Sequence, residues 1–305
     1  MNNQNDRTAR IIARKFGSHA KLKSKYEPQI PEGAEREYLR IVNAYMKILK
    51  DELETELPKL QEVYKQNRDE EVKNGIRNDA ATDLMVAINQ LFTRMQNNVI
   101  AKTVGFGLRR KLESLANLSR KLTVREWKKA IKATLGIDIR EDYYLGDFYV
   151  EQLAIWISEN VDLIKTIPED TLGKMKDIVY DGFANGKTTT RMTKDIMRAY
   201  GVSRRRAQFI ARDQIAKLNG QIQQAQQQDA GITEYVWSTC GDERVRESHR
   251  ALNGKTFSWN EPPMNSDGRA CHPGYDYGCR CIGRPVFKKE DLNLPVDDNM
   301  TVTIK

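Results

Sequence analysis

Between Glu35 and Leu60 the apolar residues return at steps of three and four: Leu39, Val42, Tyr45 or Met46, Leu49, Leu53, Leu57 and Leu60. That is the 3.6-residue period of a helix burying one stripe, and a strand, whose side chains alternate every two residues, cannot keep such a face together. The spacing predicts a long helix, with Pro58 as the place where it would bend. Similar ladders run through Leu84, Ile88, Leu91, Met95 and Val99, and through Phe148, Leu153 and Ile155 or Trp156. The first two-thirds of the chain therefore reads as helical. Thr166 is positioned to cap a further helix, with Pro168 in its first turn and Gly186 just past its end. Ser203 is expected to cap another, whose stripe is Ala207, Ile210, Ala211, Ile215, Leu218, Ile222 and Ala225, with Gly231 beyond it.

After Gly231 the pattern changes. Ile232 to Thr239 is β-rich, with Tyr235, Trp237 and Thr239 on one face and Val236 on the other. Val245, His249 and Leu252 share one face of a short helix that Asn253-Gly254 ends. Lys255 to Trp259 and Cys279 to Phe287 read as strands, joined by a loop rich in Pro, Gly and Asp. The expected class is α+β, a mainly helical N-terminal domain followed by a C-terminal α+β domain with a small β-sheet. No internal repeat is visible, and the one biased tract is the Gln-rich stretch Gln221 to Gln228.

Composition excludes several classes. A chain of 305 residues, 39% hydrophobic and 30% charged, is long enough for about two domains and too apolar to stay disordered. No run approaches the roughly 18 apolar residues that read as a membrane span, and the charged first twenty residues lack an apolar signal core. Four cysteines, all after residue 239, do not make an extracellular disulfide framework, so a reduced intracellular environment is expected. Fifty Lys and Arg against forty-two Asp and Glu leave a formal charge of +8. The excess is concentrated before Pro28 and again from Arg109 to Lys132, which makes an anionic partner plausible although such runs are often only solvated helix faces. Arg204, Arg205 and Arg206, at an expected helix start, would oppose the helix dipole unless an anion or carboxylate lies nearby.

Two of the three histidines and all four cysteines lie between Cys240 and Cys281. On a strand, Cys279 and Cys281 would project to the same face, where a disulfide between them would be strained. With His249 and either His272 or Cys271 they could complete the four-ligand tetrahedron of a structural zinc site, although no clean C-x-x-C pair is present. The ordinary alternative is a set of small buried thiols with a core histidine. Asp242, Arg246 and His249 stand at helical spacing, yet no G-x-S-x-G, P-loop or H-E-x-x-H accompanies them, so an Asp242 to Arg246 pair supporting the helix is expected and an enzyme is not.

The run Arg204 to Asn219 (RRRAQFIARDQIAKLN), the strand GITEYVW, DERVRESHRALNG from Asp242 to Gly254 and CHPGYDYGCRC from Cys271 to Cys281 resemble the phage Mu F-like, or head morphogenesis, family. PEGAEREYLRIV near Glu35 also resembles the start of such minor head proteins. The resemblance is strongest over residues 150 to 287. It implies a minor capsid protein of a tailed bacteriophage at the portal vertex, acting in head assembly, DNA packaging or genome ejection. Many members carry a C-P-x-C pair after D-x-R-V; here Arg246 and His249 stand in those places, and additional residues separate His272 from Cys279. Cys271 or Cys240 could substitute, or no metal is held.

The organisation expected on this reading is a basic arm over 1–30, a helical portal- or capsid-contacting domain over 31–145, a Mu F-like domain over 146–287 and a polar tail over 288–305. Expected partners are the portal protein, the major capsid or scaffold protein, and DNA without sequence preference. DNA contact is expected at Arg10, Arg14, Lys15, Arg109, Arg110, Lys111, Lys128, Lys129, Arg204 and Arg205. Zinc is the expected cofactor if one is held, by His249, Cys279 and Cys281 with Cys271, His272 or Cys240 as the fourth ligand. The rivals are a metal-dependent enzyme built on Asp242, Arg246 and His249, and a structural adaptor that makes no DNA contact. The expected location is the virion, after assembly in the host cytoplasm.

Overall fold

The computed structural model describes residues 2–74, 79–185, 187–297 and 300–302. Among them the α+β class holds, with long helices first and a small antiparallel sheet near the C-terminus. The helices are α1 (Asn2–Phe16), α2 (Glu32–Asn74), α3 (Asp79–Val104), α4 (Leu108–Leu135), α5 (Asp147–Ala184), α6 (Thr189–Asp229) and the single turn α7 (Glu247–Arg250). The strands are β1 (Lys21–Lys23), β2 (Glu234–Ser238), β3 (Thr256–Ser258), β4 (Ile282–Lys288), β5 (Leu294–Asp297) and β6 (Met300–Val302). Two compact units are formed, one from 1–36, 113–156 and 212–305, the other from 37–112 and 157–211. They cut across the linear segments 31–145 and 146–287, because α2, α4, α5 and α6 each contribute to both.

Among its described residues the unit 37–112 and 157–211 has helices and no strand. The α2 ladder is buried as Tyr38, Val42, Tyr45, Met46, Leu49, Leu53 and Leu57, and the α3 ladder as Ile88, Leu91, Met95 and Val99. The side chains of Leu60 and Phe148, and Gly186, lie outside the described residues. Two expected helix starts prove to be helix interiors. Pro168 lies within α5, where a lost backbone bond and ring clash cost about 3 kcal/mol, and burial of Ile164, Ile167, Leu172 and Met175 around it offsets that cost. Ser203 lies within α6 and, instead of capping it, accepts a 2.8 Å hydrogen bond from the Thr171 hydroxyl.

The other unit holds the sheet, in the order β1-β4-β2-β3, antiparallel throughout. The residues read as a cationic arm fold instead. Ile12 and Phe16 on α1 are fully buried against Trp127, Ile131, Leu135 and Phe287, and Leu22 on β1 pairs with Phe287 on β4. The charged residues ride on the outer face of an amphipathic helix, which shields the stripe beneath them. The polar tail is corrected in the same way: Leu292 and Leu294 belong to this core, and β5 pairs with β6. The Gln-rich end of α6 is structural. Gln227 donates to the Gly283 carbonyl at 2.7 Å and accepts from the Trp259 indole at 2.9 Å, fixing the helix to the sheet.

Candidate metal centre

The hydrophobic cluster of this region is Tyr235 and Trp237 from β2, Leu252, Trp259, Cys279 and Cys281, with Phe257 and Cys271 packed against it. A β2–β3 hairpin, held by the Trp237 N–H on Lys255 O at 2.9 Å and the Gly254 N–H on Trp237 O at 2.8 Å, supplies the aromatic wall. His249 from α7 stands edge-on to Trp237, with centroids 5.4 Å apart. Cys279 and Cys281 lie in the loop before β4, not on the strand, so their common burial comes from the loop fold and not from a strand pleat. That loop is pressed onto α6. The Gly278 N–H donates to Asp213 at 2.8 Å, and Gly274, at φ +87°, lies against Gly220, where a Cβ would come within 2.9 Å of the Pro273 carbonyl.

His249 is 2% exposed and its two ring nitrogens face different groups. Nδ1 lies 3.5 Å from Cys279 Sγ and 3.7 Å from Cys281 Sγ. Nε2 lies 3.2 Å from an Asp276 carboxylate oxygen. Asp276 is itself buried and clamped by Arg246 at 2.6 Å, Arg269 at 2.9 Å and the Tyr277 N–H at 2.8 Å. Burial opposes its charge, but the Tyr277 N–H and the Arg246 and Arg269 guanidiniums hold the carboxyl below its ordinary pKa. His249 is pushed up to about 10, first by Cys271 and then by Cys279 beside its ring, against the opposing effect of burial. Cys279 is held low by the neighbouring Cys281 thiol, His249 and the N–H groups of Cys281 and Gly274, the last two each 3.4 Å from its sulfur. Cys281 is raised, because two buried sulfurs side by side cannot both be charged.

Two groups of donors can be drawn within 4.8 Å: His249, Cys279 and Cys281, and His249, Cys271 and Asp276. His272 is in neither. Its Nδ1 is hydrogen-bonded to the Tyr235 hydroxyl at 3.0 Å and its ring packs among Trp259, Tyr235 and Tyr275, with burial lowering its pKa. Cys240 is exposed and directed to Asp242 at 3.5 Å. The expected Asp242 to Arg246 helical pair does not form, because α7 begins only at Glu247. Asp242 instead pairs with Arg280 and with Arg244, while Arg246 serves Asp276. Cys279, His249 and Asp276 stand in nucleophile, base and orienter order, with Cys279 buried at 4% exposure.

Three comparisons bear on this geometry. The model of the family "Phage Mu protein F like protein" matches residues 173–283. This segment is similar to that family. It runs from α5 to the start of β4 and includes His249, Asp276 and all four cysteines. An uncharacterized protein of Haemophilus influenzae (strain Rd) is 34% identical over 161 residues, 53% of this chain. The match covers only 35% of that protein's length. No solved structure matches.

Sequence reasoning missed Asp276, Arg269, Trp237 as a neighbour of the histidine, and Asp213. The available signal for Asp276 was its place inside the Cys- and His-rich run CHPGYDYGC. The ten basic residues named for DNA are divided between the two units: Arg10, Arg14, Lys15, Lys128 and Lys129 in one, and Arg109, Arg110, Lys111, Arg204 and Arg205 in the other. Lys128 and Lys129 are paired with Glu141 and Glu126. Arg204 and Arg205 are exposed in the interior of α6, so no helix N-terminus recruits an anion there.

Proposed function

We propose that this chain is a minor head protein of a tailed bacteriophage, placed at the portal vertex or head interior, that acts in head assembly, DNA packaging or genome ejection. The observation that carries this reading is the Mu F-like match over 173–283, supported by a helical unit suited to packing against other helices. The portal protein and the major capsid or scaffold protein are its partners on this reading. Duplex DNA is a sequence-independent one, met by exposed basic residues on α1, α4 and α6. The role is structural. Among the described residues no helix is long and apolar enough to cross a membrane.

Co-expression with the portal protein tests the assignment: the two should elute together on a sizing column at low salt, and the chain should be found in mature heads. Complete separation together with absence from heads overturns it. DNA contact is tested separately by duplex binding across a salt series. Affinity should fall steeply as salt rises, because each neutralised phosphate releases counterions. Binding that is absent at low salt leaves the adaptor reading in its place.

A further inference from the structure

We propose that Cys279, Cys281, Nδ1 of His249 and Cys271 bind one structural zinc ion, and that Asp276 is the positioning residue that aims the imidazole at it. The inference rests on the geometry of the site and is independent of any role in a phage head. With Zn–S near 2.3 Å and Zn–N near 2.0 Å, the N···S edge of a tetrahedral site is about 3.6 Å. The two edges in the structure are 3.5 and 3.7 Å, within the range of a sulfur hydrogen bond and also the spacing that a shared tetrahedral cation requires.

The Cys279 sulfur also meets hydrogen-bond donors. Cys279 accepts from the Gly274 and Cys281 N–H groups. The Trp237 indole N–H, in a fully buried residue of the same cluster as Cys281, has no hydrogen-bond partner among the described residues. Donors converging on the Cys279 sulfur are the surroundings of a thiolate, the form in which cysteine ligates. On the far side of His249 the Asp276 carboxylate accepts from Nε2–H and so aims Nδ1 at the sulfurs, where a metal would displace the Nδ1 proton; Arg246 and Arg269 hold the carboxylate in place. A closed structural site takes four protein ligands. Cys271 is the remaining thiol that packs against the cluster; it falls within 4.8 Å of His249 in the group with Asp276, apart from the Cys279 and Cys281 group, so it has to close toward the ion as zinc binds, whereas His272 is occupied by Tyr235 and Cys240 is exposed. Thiolate and imidazole donors in a buried tetrahedral setting select zinc over harder cations, and binding releases the thiol protons to solvent.

The full chain, purified reduced and without chelator, should carry one zinc per chain by elemental analysis. Cobalt exchanged for zinc should give intense sulfur-to-cobalt charge-transfer bands with the visible pattern of a tetrahedral site. A thiol reagent should find Cys240 alone in the native protein and all four cysteines after chelation. Asp276→Asn should keep the cobalt spectrum yet weaken zinc about 10- to 100-fold in competition with a chelator, a split that simple unfolding does not produce. Cys271→Ser should lower both the charge-transfer intensity and the affinity. Substoichiometric metal even after anaerobic reconstitution with zinc overturns the site. An unchanged spectrum and affinity in Cys271→Ser overturns the fourth ligand, and loss of metal in a folded His272→Gln or Cys240→Ser protein overturns the ligand set. Full affinity in Asp276→Asn overturns the positioning role. If Cys279→Ser does not fold, the wild-type cobalt spectrum and Asp276→Asn still decide.

Discussion

The helical unit and the segment from Cys240 to Cys281 are built on opposite principles. In the helical unit, order comes from repetition: Leu49, Leu53 and Leu57 succeed one another on α2, and each buried aliphatic side chain contributes about 1.5–3 kcal/mol without needing an exact partner. In the other region α7 is a single turn, β3 is three residues long, and the loop carrying Asp276, Cys279 and Cys281 has no regular structure of its own. Its stability comes from specific pairs: Asp276 with two arginines and a histidine, sulfur with N–H groups, and glutamine with indole. A repetitive core tolerates a poor member, whereas a set of specific partners fails when one is removed and leaves the others buried and unpaired.

The largest effect expected to sharpen this contrast is removal of the proposed zinc ion. Structural zinc in small peptides contributes roughly 10–16 kcal/mol of apparent binding energy. Chelation should therefore lower Tm by more than any single truncation in the helical unit, with increased hydrogen exchange concentrated between Cys240 and Cys281. Equal loss of protection over α2 and α3 would break the comparison.

Leu49→Ala should cost about 2–5 kcal/mol in urea unfolding, because a fully buried leucine leaves a cavity, while metal content stays unchanged. Loss of the proposed zinc in that variant would show that the two regions do not lose stability independently. Gly220→Ala comes next. An exposed helical glycine commonly gains about 0.5–1 kcal/mol on becoming alanine. Here the new Cβ would lie 2.9 Å from the Pro273 carbonyl, so the sign should reverse, with an overpacking cost of about 1–3 kcal/mol. A more stable Gly220→Ala protein would mean that the loop yields easily and that α6 does not set its position.

The smallest effect concerns pH. Glu126 is buried, which raises its pKa, but the Lys129 ammonium, the Tyr26 hydroxyl donating at 2.6 Å and the Gln29 N–H at 3.0 Å outweigh burial and hold it below the ordinary value. A depressed folded pKa gives stabilisation that is complete above the unfolded value of about 4.3 and lost as pH falls through the folded one. Urea midpoints of wild type and Glu126→Gln should differ near neutral pH and converge as pH drops below about 4. A constant difference across that range would place the role of Glu126 in packing instead of charge.

The α2 and α3 ladders were legible because a helix's buried face is written in residues three and four apart. Pro168 and Ser203 misled for a related reason: each has a local preference for a helix start, and packing on both sides outweighed it. The thiol and imidazole donors were legible as chemistry, since cysteine and histidine are rare and clustered here. Their arrangement was not. Asp242 stands seven residues from His249 and looked like its companion, yet Asp276, twenty-seven residues away, is the carboxylate on its ring.

By itself, the sequence determined the helical majority, the change to a small sheet after Gly231 and the similarity of the segment from 173 to 283 to Mu F-like proteins, because each is carried by spacing or by an ordered string of residues. Only the tertiary structure decided that the basic N-terminal segment is a packed helix and that Leu294 belongs to the core beyond β4. It alone selected which carboxylate, thiols and indole surround His249. Helical periodicity is a property of neighbours along the chain. The meeting of His249 with Cys279 is set by how α6, the β2–β3 hairpin and the loop before β4 press together, and that depends on shape and burial at positions thirty residues apart.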